Sequence, residues 1–367
     1  MSEDSRCCGI GTCIINEEGQ CWCGQRWDGE KMCFPRAIRV AVVGAGIAGL
    51  SCATRLQAQG LQVEVFEKSR GASGRMSTRQ SEEASADHGA QYFTARDPLF
   101  MKAVSAWMQA DVAAVWQPQL KVYEASQWRD SHAQEKRYVG KPAMNTPGKY
   151  LAQNLSAQYG QTIDKIAIKN GQWHLHSAES GDLEQAFDWL VLALPAPQAL
   201  ALLETSGEPL DTSTAQFKMK GCWTVMAEFT ENLHLPFDAA FVNGEIISWM
   251  ARNNSKPGRS GAESWTIHAT PEWSQEWIEL EKEEAAKRIL GCAQKIGLVA
   301  QPAKISVHRW RYASGSLDPM PLFKLDEKLK WGLCGDWLNG GRVEGAWLSG
   351  HHLATEIQTL ERALVKR

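Results

Sequence analysis

The sequence predicts an α/β protein, with a doubly wound parallel sheet joined to a second lobe built on a mixed or antiparallel sheet. Three observations support this class. A buried strand runs through a glycine-rich turn into a helix at residues 40–50. Residues 189–194 are apolar throughout, as in a strand that is covered on both faces. Alternating strand patterns occupy residues 221–269. Because a chain of 367 residues exceeds the size at which one core keeps growing, we expect two lobes.

The glycine-rich turn has the spacing of a phosphate-binding loop. Gly44 allows a tight turn, Gly46 allows the backbone to approach a pyrophosphate, and Gly49 allows helix and strand to pack closely. The helix N-terminus supplies free N–H groups and a positive potential. The next strand ends in Glu67, about twenty residues beyond the glycines, where dinucleotide-binding units place an acceptor for a ribose hydroxyl. An ordinary strand–turn–helix unit is the alternative, but the two features together favour dinucleotide binding.

Composition and charge argue against several kinds of partner. A formal net charge of −3 gives no electrostatic reason to expect nucleic acid or an anionic membrane. No apolar run approaches the roughly 20 residues that a membrane span needs. The first residues carry acids and cysteines where a secretory signal needs a basic start and an apolar centre. We therefore expect a soluble cytoplasmic protein.

The cysteines are concentrated in the first 33 residues, a segment too short and too polar to build a core by burial alone. Their spacing differs from the paired knuckles of a zinc ribbon. It loosely resembles a small bacterial cysteine-rich module regarded as binding an iron–sulfur centre or another metal. The predicted ligands are Cys8, Cys13, Cys21 and Cys23. Disulfides, which a cytosol disfavours, or an unordered appendage are the alternatives. We expect the scattered Cys52, Cys222, Cys292 and Cys334 to be small core residues.

A glycine- and cation-rich loop, residues 68–79, follows Glu67. It can close over a diphosphate, with Arg75 or Arg79 neutralising charge, although a solvated basic loop is the alternative. Helical periodicity then predicts one helix across residues 99–116, with Met101, Val104, Met108 and Val115 among its buried positions, and another across residues 149–159.

Strand-like runs follow at residues 162–168, 172–176 and 187–194. The last run ends at Pro195, and we expect it to return to the first sheet. In the second lobe, strands are predicted within residues 221–230, 239–252 and 264–269, and a helix at residues 274–296. Residues 253–261 form a long turn that is either a lid or a passive surface loop.

The chain ends with a second transition from strand to helix. A strand beginning at Lys330 ends in Gly335 and Asp336, and a helix opens at Glu344–Gly350. A large cofactor needs one helix end for its pyrophosphate and another for a second electron-rich group. The two transitions therefore predict a shared cofactor.

Several motifs together resemble the FAD-dependent amine oxidase superfamily, and most closely its renalase branch. They include the glycine loop with Glu67, the Arg-Gly-Ala-Ser-Gly-Arg loop and the strand ending in Leu-Ala-Leu-Pro. The closest matches are Asp87–Asp97, His308–Tyr312 and Asp336–Gly350. The resemblance covers Ile38 to about the end of the chain and leaves residues 1–35 outside it.

The resemblance implies a glutathione-reductase-like FAD-binding domain interleaved with a substrate lobe. The FAD-binding parts would be residues 36–95, 146–197 and 316–367. Residues 96–145 and 198–315 would form the substrate lobe, and residues 1–35 a cysteine-rich extension.

By the same resemblance, the glycine loop would hold the pyrophosphate, Glu67 the ribose and Arg75 the diphosphate or ribityl region. Ala90 and Gln91 would pass beside the isoalloxazine, and the helix start at Gly345 would stabilise negative charge at flavin N1. The implied cofactor-binding residues are Gly44, Ala45, Gly46, Ile47, Ala48, Gly49, Glu67, Lys68, Gly74, Arg75, Met76, Ala90, Gln91, Ile166, Gly335, Asp336, Glu344, Gly345 and Ala346.

The activity implied is oxidation of a reduced nicotinamide isomer, or a similar small hydride donor, at flavin N5. Dioxygen would regenerate the flavin and give hydrogen peroxide. An amine oxidase or a desaturase of the same superfamily shares every cofactor motif. A non-catalytic flavin-binding or electron-transfer protein with an N-terminal metal module is a third possibility. The second helix start disfavours a fourth, a NAD-dependent dehydrogenase.

Aromatic and cationic side chains of the second lobe are the candidates for the substrate face, since flavin chemistry needs flat stacking surfaces and a few polar anchors. They are Trp249, Arg252, Trp310, Tyr312 and Trp337. His268 and His308 are candidates for handling protons, although a lone histidine is more often structural. Hydride donation from a dihydropyridine demands no general base, whereas a protonated amine must lose a proton.

Overall fold

The computed structural model describes residues 21, 25–27, 30–33, 37–208, 218–298, 300–315 and 321–365. Three of the predicted metal ligands, Cys8, Cys13 and Cys23, lie outside these residues. The fourth, Cys21, is buried with a free thiol. In the described part of the chain, no three His, Cys, Asp or Glu side chains are grouped as metal ligands. The metal site therefore stays a prediction.

The helices are α1 (Ile47–Ala58), α2 (Pro98–Gln109), α3 (Thr146–Ala152), α4 (Ala196–Glu204), α5 (Pro271–Glu276), α6 (Lys282–Lys295) and α7 (Val343–Val365). The strands are β1 (Arg26–Trp27), β2 (Met32–Cys33), β3 (Arg39–Val43), β4 (Gln62–Glu67), β5 (Thr78–Gln80), β6 (Ser85–Asp87), β7 (Ala113–Trp116), β8 (Leu120–Glu124), β9 (Gln127–Asp130), β10 (Arg137–Gly140), β11 (Ser156–Tyr159), β12 (Ile163–Lys169), β13 (Gln172–Ser177), β14 (Gly181–Phe187), β15 (Trp189–Leu192), β16 (Lys220–Phe229), β17 (Ala239–Val242), β18 (Ile247–Arg252), β19 (Glu263–Ala269), β20 (Lys304–Ser314), β21 (Lys324–Asp326) and β22 (Trp331–Leu333). None of the helices in these ranges combines the length and apolar character required to cross a membrane.

The first lobe is organised on a six-stranded sheet with the order β11-β4-β3-β15-β22-β21. All neighbours pair in parallel except β21 with β22. In β15, Trp189 and Val191 pack into one core and Leu190 and Leu192 into another, on the opposite face of the sheet. Since apolar layers cover both faces, an uninterrupted apolar run is what this strand requires. The expected return of this strand to the first sheet is confirmed by its parallel pairing with β3.

The second lobe is organised on a seven-stranded sheet with the order β20-β16-β19-β18-β17-β8-β9. Its pairs are antiparallel apart from β17 with β8, which is parallel. The buried side of α6, which includes Ala285, Ile289 and Cys292, packs into the core of this sheet. The predicted fold class is confirmed: a doubly wound parallel sheet and a sheet-rich second lobe.

The starts of α1 and α7 lie together at the carboxyl edge of the parallel sheet. Their close approach depends on glycine, because a Cβ added at Gly350 would lie 2.0 Å from the carbonyl oxygen of Ala48. The Ser51 hydroxyl of α1 donates to the carbonyl oxygen of Trp347 in α7 (2.9 Å). The two distant strand-to-helix transitions of the sequence thus converge in space.

The predicted helix across residues 99–116 is too long. Helix α2 ends at Gln109, and its buried face consists of Phe100, Val104 and Trp107. Met101 and Met108 are 48% and 41% exposed, and Val115 lies in β7. Both sets have helical spacing, and the aromatic rings of Phe100 and Trp107 bury more surface than the methionine side chains would.

Two other helix predictions are also wrong in extent. Of residues 149–159, only the first part is helical, in α3, and Ser156–Tyr159 pairs with β4 as the edge strand of the parallel sheet. The predicted helix at residues 274–296 is two helices, α5 and α6, because the chain leaves helical geometry between Trp277 and Glu281. In both cases local periodicity was outweighed by tertiary pairing and packing.

A buried ion-pair cluster joins the two lobes at the end of β6. The Asp87 carboxylate is fully buried and accepts hydrogen bonds from Lys256 Nζ (3.0 Å) and Arg259 Nη2 (2.7 Å). The Thr78 hydroxyl donates to its other oxygen (2.6 Å). Both cations come from residues 253–261, so this segment is not the passive surface loop that the sequence also allowed. Burial raises the pKa of Asp87, but Lys256 and Arg259 outweigh burial and bring the pKa to about 2.

Replacing Asp87 by Asn should destabilise the fold strongly, because Lys256 and Arg259 would be left as buried cations without a counter-charge. Breaking such a pair costs roughly 3–5 kcal/mol. The change in unfolding free energy is measured from urea denaturation. Asp164→Asn is the matched control, since Asp164 pairs with His176 at the surface and its loss should leave the midpoint nearly unchanged. Equal shifts for the two variants would contradict this account of the cluster.

Candidate active site

A cavity lies where the starts of α1 and α7 meet the second lobe. It contains about 950 Å³ of space free of protein atoms, counting its open mouth. The lining residues are Gly46, Ile47, Ala48, Ser73, Arg75, Met76, Gly89, Ala90, Ala193, Leu194, Cys222, His268, Trp310, Ala313, Gly335, Asp336, Gly341, Arg342, Val343 and Ala346. The first lobe therefore supplies two helix starts and a cationic loop, and the strands of the second lobe form the opposite wall of the cavity.

The glycine loop at the start of α1 has the geometry of a phosphate cradle. Gly44 adopts a φ of +106°, and a Cβ there would lie 2.6 Å from the carbonyl oxygen of Ala193. At Gly46 nothing lies within 4 Å of an added Cβ, so this α-carbon faces open space. A Cβ at Gly49 would lie 2.0 Å from the carbonyl oxygen of Gly44. The loop thus leaves room for a diphosphate beside the N–H groups that open the helix.

Glu67 holds the glycine loop against the cationic loop. Its carboxylate is buried, with one oxygen accepting from the Ala45 N–H and the other from the Ser69 N–H, each at 2.8 Å. Glu67 does not line the cavity. A carboxylate has about four acceptor sites, so these two bonds leave capacity for a ribose hydroxyl.

A bidentate ion pair crosses the middle of the cavity wall. Arg75 donates from Nη1 to Asp336 Oδ2 (2.9 Å) and from Nη2 to Asp336 Oδ1, and Nη1 also donates to the carbonyl oxygen of Ala313 (3.0 Å). The pair joins the loop after β4 to the segment after β22. Because two parallel hydrogen bonds fix the guanidinium plane, its remaining donors have a defined direction.

The start of α7 forms the far end of the cavity. Ala346 lines it, while Gly345 packs so closely that a Cβ would lie 1.8 Å from the carbonyl oxygen of Asn339. Glu344 accepts from the N–H groups of Arg96 (2.6 Å) and Asp97 (2.7 Å). The 23-residue helix directs the positive end of its dipole at this part of the cavity.

Three adjacent strands of the second lobe form one side of the cavity. We call the lining residues on these strands, Cys222, His268 and Trp310, the substrate wall. Cys222 of β16 is opposite Trp310 of β20, and His268 of β19 is opposite Thr224 of β16. The Trp310 N–H donates to the carbonyl oxygen of His88 (2.9 Å). Burial raises the pKa of the Cys222 thiol to about 12, so the thiol is protonated.

One histidine of this wall, His268, and two that pack against Trp310, His88 and His308, are neutral at physiological pH. Burial, followed by the electrostatic effect of the neighbouring His308, lowers the pKa of His88 to about 3. Burial, followed by Arg79, lowers the pKa of His308 to about 4. Burial lowers the pKa of His268 to about 4, although a hydrogen bond with the His88 backbone acts in the opposite direction. The His88 and Trp310 rings are stacked with centroids 5.3 Å apart.

The cavity brings together much of the predicted cofactor site. The predicted residues that line it are Gly46, Ile47, Ala48, Arg75, Met76, Ala90, Gly335, Asp336 and Ala346. Others lie in the same segments without lining it, namely Gly44, Ala45, Gly49, Glu67, Lys68, Gly74, Gln91, Glu344 and Gly345. Ile166 lies in β12 and packs into the core on the other face of the parallel sheet. A cofactor role for Ile166 stays a prediction, without support from the cavity.

Of the predicted substrate-face residues, Trp310 alone lines the cavity. The Trp249 ring packs against Tyr92, Trp116 and Phe241. The other three are engaged elsewhere: Arg252 pairs with Asp238, Tyr312 packs on the core that contains Ile166, and the Trp337 N–H donates to the carbonyl oxygen of Leu194 (3.0 Å). Their predicted catalytic roles gain no support from this arrangement.

Several lining residues were not predicted as site residues. They are Ser73, Gly89, Ala193, Leu194, Cys222, Ala313, Gly341, Arg342 and Val343, whereas His268, which also lines the cavity, was a candidate for handling protons. Ala193 and Leu194 follow β15, and the rule that ligands bind at the carboxyl edge of a parallel sheet could have identified them. Cys222 is half-buried at the cavity, whereas Cys52, Cys292 and Cys334 are buried as expected of core residues. Sequence spacing carried no signal for Cys222, because its place depends on the pairing of distant strands.

Two family models match the chain. Residues 42–107 match the NAD(P)-binding Rossmann-like domain, and residues 95–358 match the flavin-containing amine oxidoreductase model. A curated relative, the zeta-carotene-forming phytoene desaturase of Myxococcus xanthus, is 52% identical over 42 residues. That match covers 11% of this chain and 8% of the relative, so the chain aligns with only a small part of that protein.

Solved structures of similar fold cover most of the chain. A protein from Exiguobacterium sp. 255-15 assigned as a protoporphyrinogen oxidase aligns with a TM-score of 0.72 at 11% identity, covering 88% of this chain and 99% of that one. Cyclohexylamine oxidase from Brevibacterium oxydans IH-35A aligns with a TM-score of 0.70 at 13% identity, covering 89% and 100%. Wild-type putrescine oxidase bound to putrescine aligns with a TM-score of 0.68 at 14% identity, covering 88% and 99%. At these identities the likeness establishes the fold.

The family match and the cavity geometry agree on the cofactor. An open glycine loop at one helix start, a bidentate Arg75–Asp336 pair and a second helix start are the features that an elongated, anionic flavin dinucleotide requires. The chain belongs to the flavin-containing amine oxidoreductase family and is an FAD-dependent oxidoreductase.

Proposed function

We propose that this oxidoreductase oxidises a reduced nicotinamide isomer or a similar small hydride donor, as in the renalase branch, with dioxygen as acceptor and hydrogen peroxide as product. The observation that carries the proposal is the charge of the cavity. Among the described lining residues, Asp336 is the one carboxylate, and Arg75 engages both of its oxygens. Arg342 adds a further positive charge to the lining. A positively charged alkylammonium would therefore find no free counter-charge.

The protonation states of the wall support the same choice. His88, His268 and His308 are neutral, and the Cys222 thiol is protonated. An amine that arrives protonated needs a group that takes its proton before oxidation, whereas a dihydropyridine gives up hydride without a base. A wall of neutral polar groups and one flat indole suits a neutral aromatic ring that stacks and forms few hydrogen bonds.

The chemistry supplied by bound FAD is acceptance of a hydride and return of two electrons to dioxygen. The protein supplies position and electrostatics. The Gly44–Gly49 loop and Arg75 would hold the diphosphate, and the start of α7 would favour the negative charge that accompanies reduction. Trp310 would offer its ring as a stacking surface and exclude water from the reacting atoms.

An amine oxidase or a desaturase of the same family is the second candidate. The structural likeness to cyclohexylamine oxidase and putrescine oxidase favours it, and the charge of the cavity opposes it.

A cytoplasmic location also belongs to the proposal, as does a metal or iron–sulfur centre at the N-terminal cysteines, which rests on cysteine spacing. The metal part is tested by elemental analysis of the purified full chain, and a metal content near zero would reject it.

Anaerobic stopped-flow absorption tests the proposed substrate class. Isomers of dihydronicotinamide mononucleotide should bleach the flavin rapidly, whereas putrescine and cyclohexylamine should reduce it far more slowly. On admission of air, hydrogen peroxide should form in a ratio of one per dihydronicotinamide consumed. Faster reduction by either amine would reject the proposal in favour of an amine oxidase. Reduced flavin that reacts poorly with dioxygen would favour an electron-transfer protein.

Arg75→Gln should weaken FAD binding, because it removes a charged donor at the diphosphate and releases Asp336 into the cavity as an unpaired carboxylate. Loss of a charge-assisted hydrogen bond of roughly 1.5–3 kcal/mol corresponds to an increase of about tenfold or more in Kd. The Kd is measured by titrating apoprotein with FAD and following flavin fluorescence. Arg129→Gln is the control, since Arg129 pairs with Glu124 at the surface. The same Kd in both variants would rule out the role assigned to Arg75.

The stability of the protein should fall as pH decreases from about 7 to 4. His88, His268 and His308 have pKa values of about 3, 4 and 4 in the folded protein, against about 6.5 in the unfolded chain. The unfolded state therefore binds more protons in this window, so stability is complete above pH 6.5 and is lost as pH falls toward 4. The melting temperature at pH 7.5, 6 and 5 measures how steeply stability depends on pH. His308→Gln should make this dependence weaker, and an unchanged dependence would contradict the role given to His308.

A further inference from the structure

We propose that His268 is the polar anchor that orients the hydride donor, its neutral imidazole accepting a hydrogen bond from an N–H of the donor such as a carboxamide N–H. The inference rests on the proposed function and extends it to a residue and a substrate group. It makes His268 a specificity residue that selects donors carrying an amide over donors carrying an ester.

The position of His268 places it among the groups that a bound donor would meet. It lies in β19, on the middle one of the three strands β16, β19 and β18, and lines the cavity together with Cys222 and Trp310. The same stretch of wall lies beside Gly89 and Ala90 of the first lobe. His268 is thus at the junction of the two lobes, where a substrate bound against a flavin would sit.

The imidazole has unused hydrogen-bonding capacity. A hydrogen bond with the His88 backbone engages one side of the ring, while Nε2 is buried with no hydrogen-bond partner. In a neutral imidazole one nitrogen donates and the other accepts. If the ring donates to the His88 backbone, its second nitrogen is an acceptor, and a buried acceptor without a partner costs free energy that a ligand N–H would recover.

The other polar groups of the substrate wall are already engaged. The Trp310 N–H donates to the carbonyl oxygen of His88 (2.9 Å). The Cys222 thiol lies 3.5 Å from the carbonyl oxygen of Trp223 and 3.7 Å from that of Ala269. Asp336, on the cofactor side of the cavity, already accepts two hydrogen bonds from Arg75. Within the substrate wall, His268 is therefore the acceptor that stays available to a substrate N–H. The other unpartnered side chain of the described lining, Ser73, lies beside Gly46 at the glycine loop.

The surroundings of His268 keep it an acceptor. Lys256, within the buried Asp87 cluster, disfavours a second proton on the ring electrostatically, and burial acts in the same direction to lower the pKa. A protonated ring would be a donor on both sides and would select an acceptor on the ligand. The arrangement therefore prefers an N–H donor over a carboxylate or an ester oxygen.

Isothermal titration calorimetry of the holoprotein tests this preference without turnover. The probes are nicotinamide and methyl nicotinate, which have similar size and differ in the presence of the N–H. The parent protein should bind nicotinamide roughly tenfold more tightly. His268→Leu should abolish the difference, and His268→Gln, whose side-chain oxygen also accepts, should retain part of it. Flavin content and melting temperature establish that each variant is folded and loaded.

His174→Leu is the matched control, because His174 lies in β13, outside the cavity lining, and should leave the preference at its parental value. Equal binding of the two probes by the parent, or a preference that persists in His268→Leu, would overturn the proposal. These outcomes are separate from the proposed function. Failure of dihydronicotinamides to reduce the flavin would reject the function, while the calorimetry alone decides the role of His268.

Discussion

The buried Asp87 carboxylate, paired with Lys256 and Arg259, is the interaction on which the geometry of the cavity depends. It joins a strand of the first lobe to a segment of the second, in surroundings that exclude water. The same cluster includes Gln91, whose side chain accepts from Lys256 (3.2 Å) and donates to the carbonyl oxygen of Gly89 (3.2 Å). The chain between Asp87 and Gln91 is therefore held at both ends. Since Gly89 and Ala90 form part of the cavity wall, the ion cluster sets the distance between the lobes at the site.

Convergence of two helix starts supplies the electrostatics of the cofactor side. Helices α1 and α7 begin at the carboxyl edge of one parallel sheet, so the positive ends of both dipoles face the same cavity. The Arg75–Asp336 pair links the segments beside them. Small residues make this approach possible, because a side chain at Gly49 or Gly350 would collide with a backbone carbonyl. The packing requirement and the phosphate-binding requirement thus fall on the same glycine-rich segments.

The substrate side depends on the particular side chains that this chain places on the strands of the second lobe. Structures with 11–14% identity share the architecture, and the cavity wall of each must be determined by its own residues. In this chain the wall combines one indole, one thiol and one neutral imidazole, and the single carboxylate of the described lining is neutralised by an arginine. A charged amine and a neutral dihydropyridine would experience this wall very differently. The proposed choice between them follows from that difference in desolvation and charge.

The sequence alone determined the features that depend on short spacing: the Gly44–Gly49 loop, the acid at Glu67, the doubly buried strand at residues 189–192 and the opening of α7. Each is local, because a turn, a helix start or an apolar run is specified by neighbouring residues. The substrate wall, the ion cluster of Asp87 and the true ends of α2 and α3 were decided by tertiary structure. Cys222, His268 and Trp310 meet only through the register of three antiparallel strands, and Lys256 becomes a buried partner only once the lobes pack. Such pairings join residues far apart in the chain, where hydrophobic periodicity carries no information about which strand or which charge lies opposite.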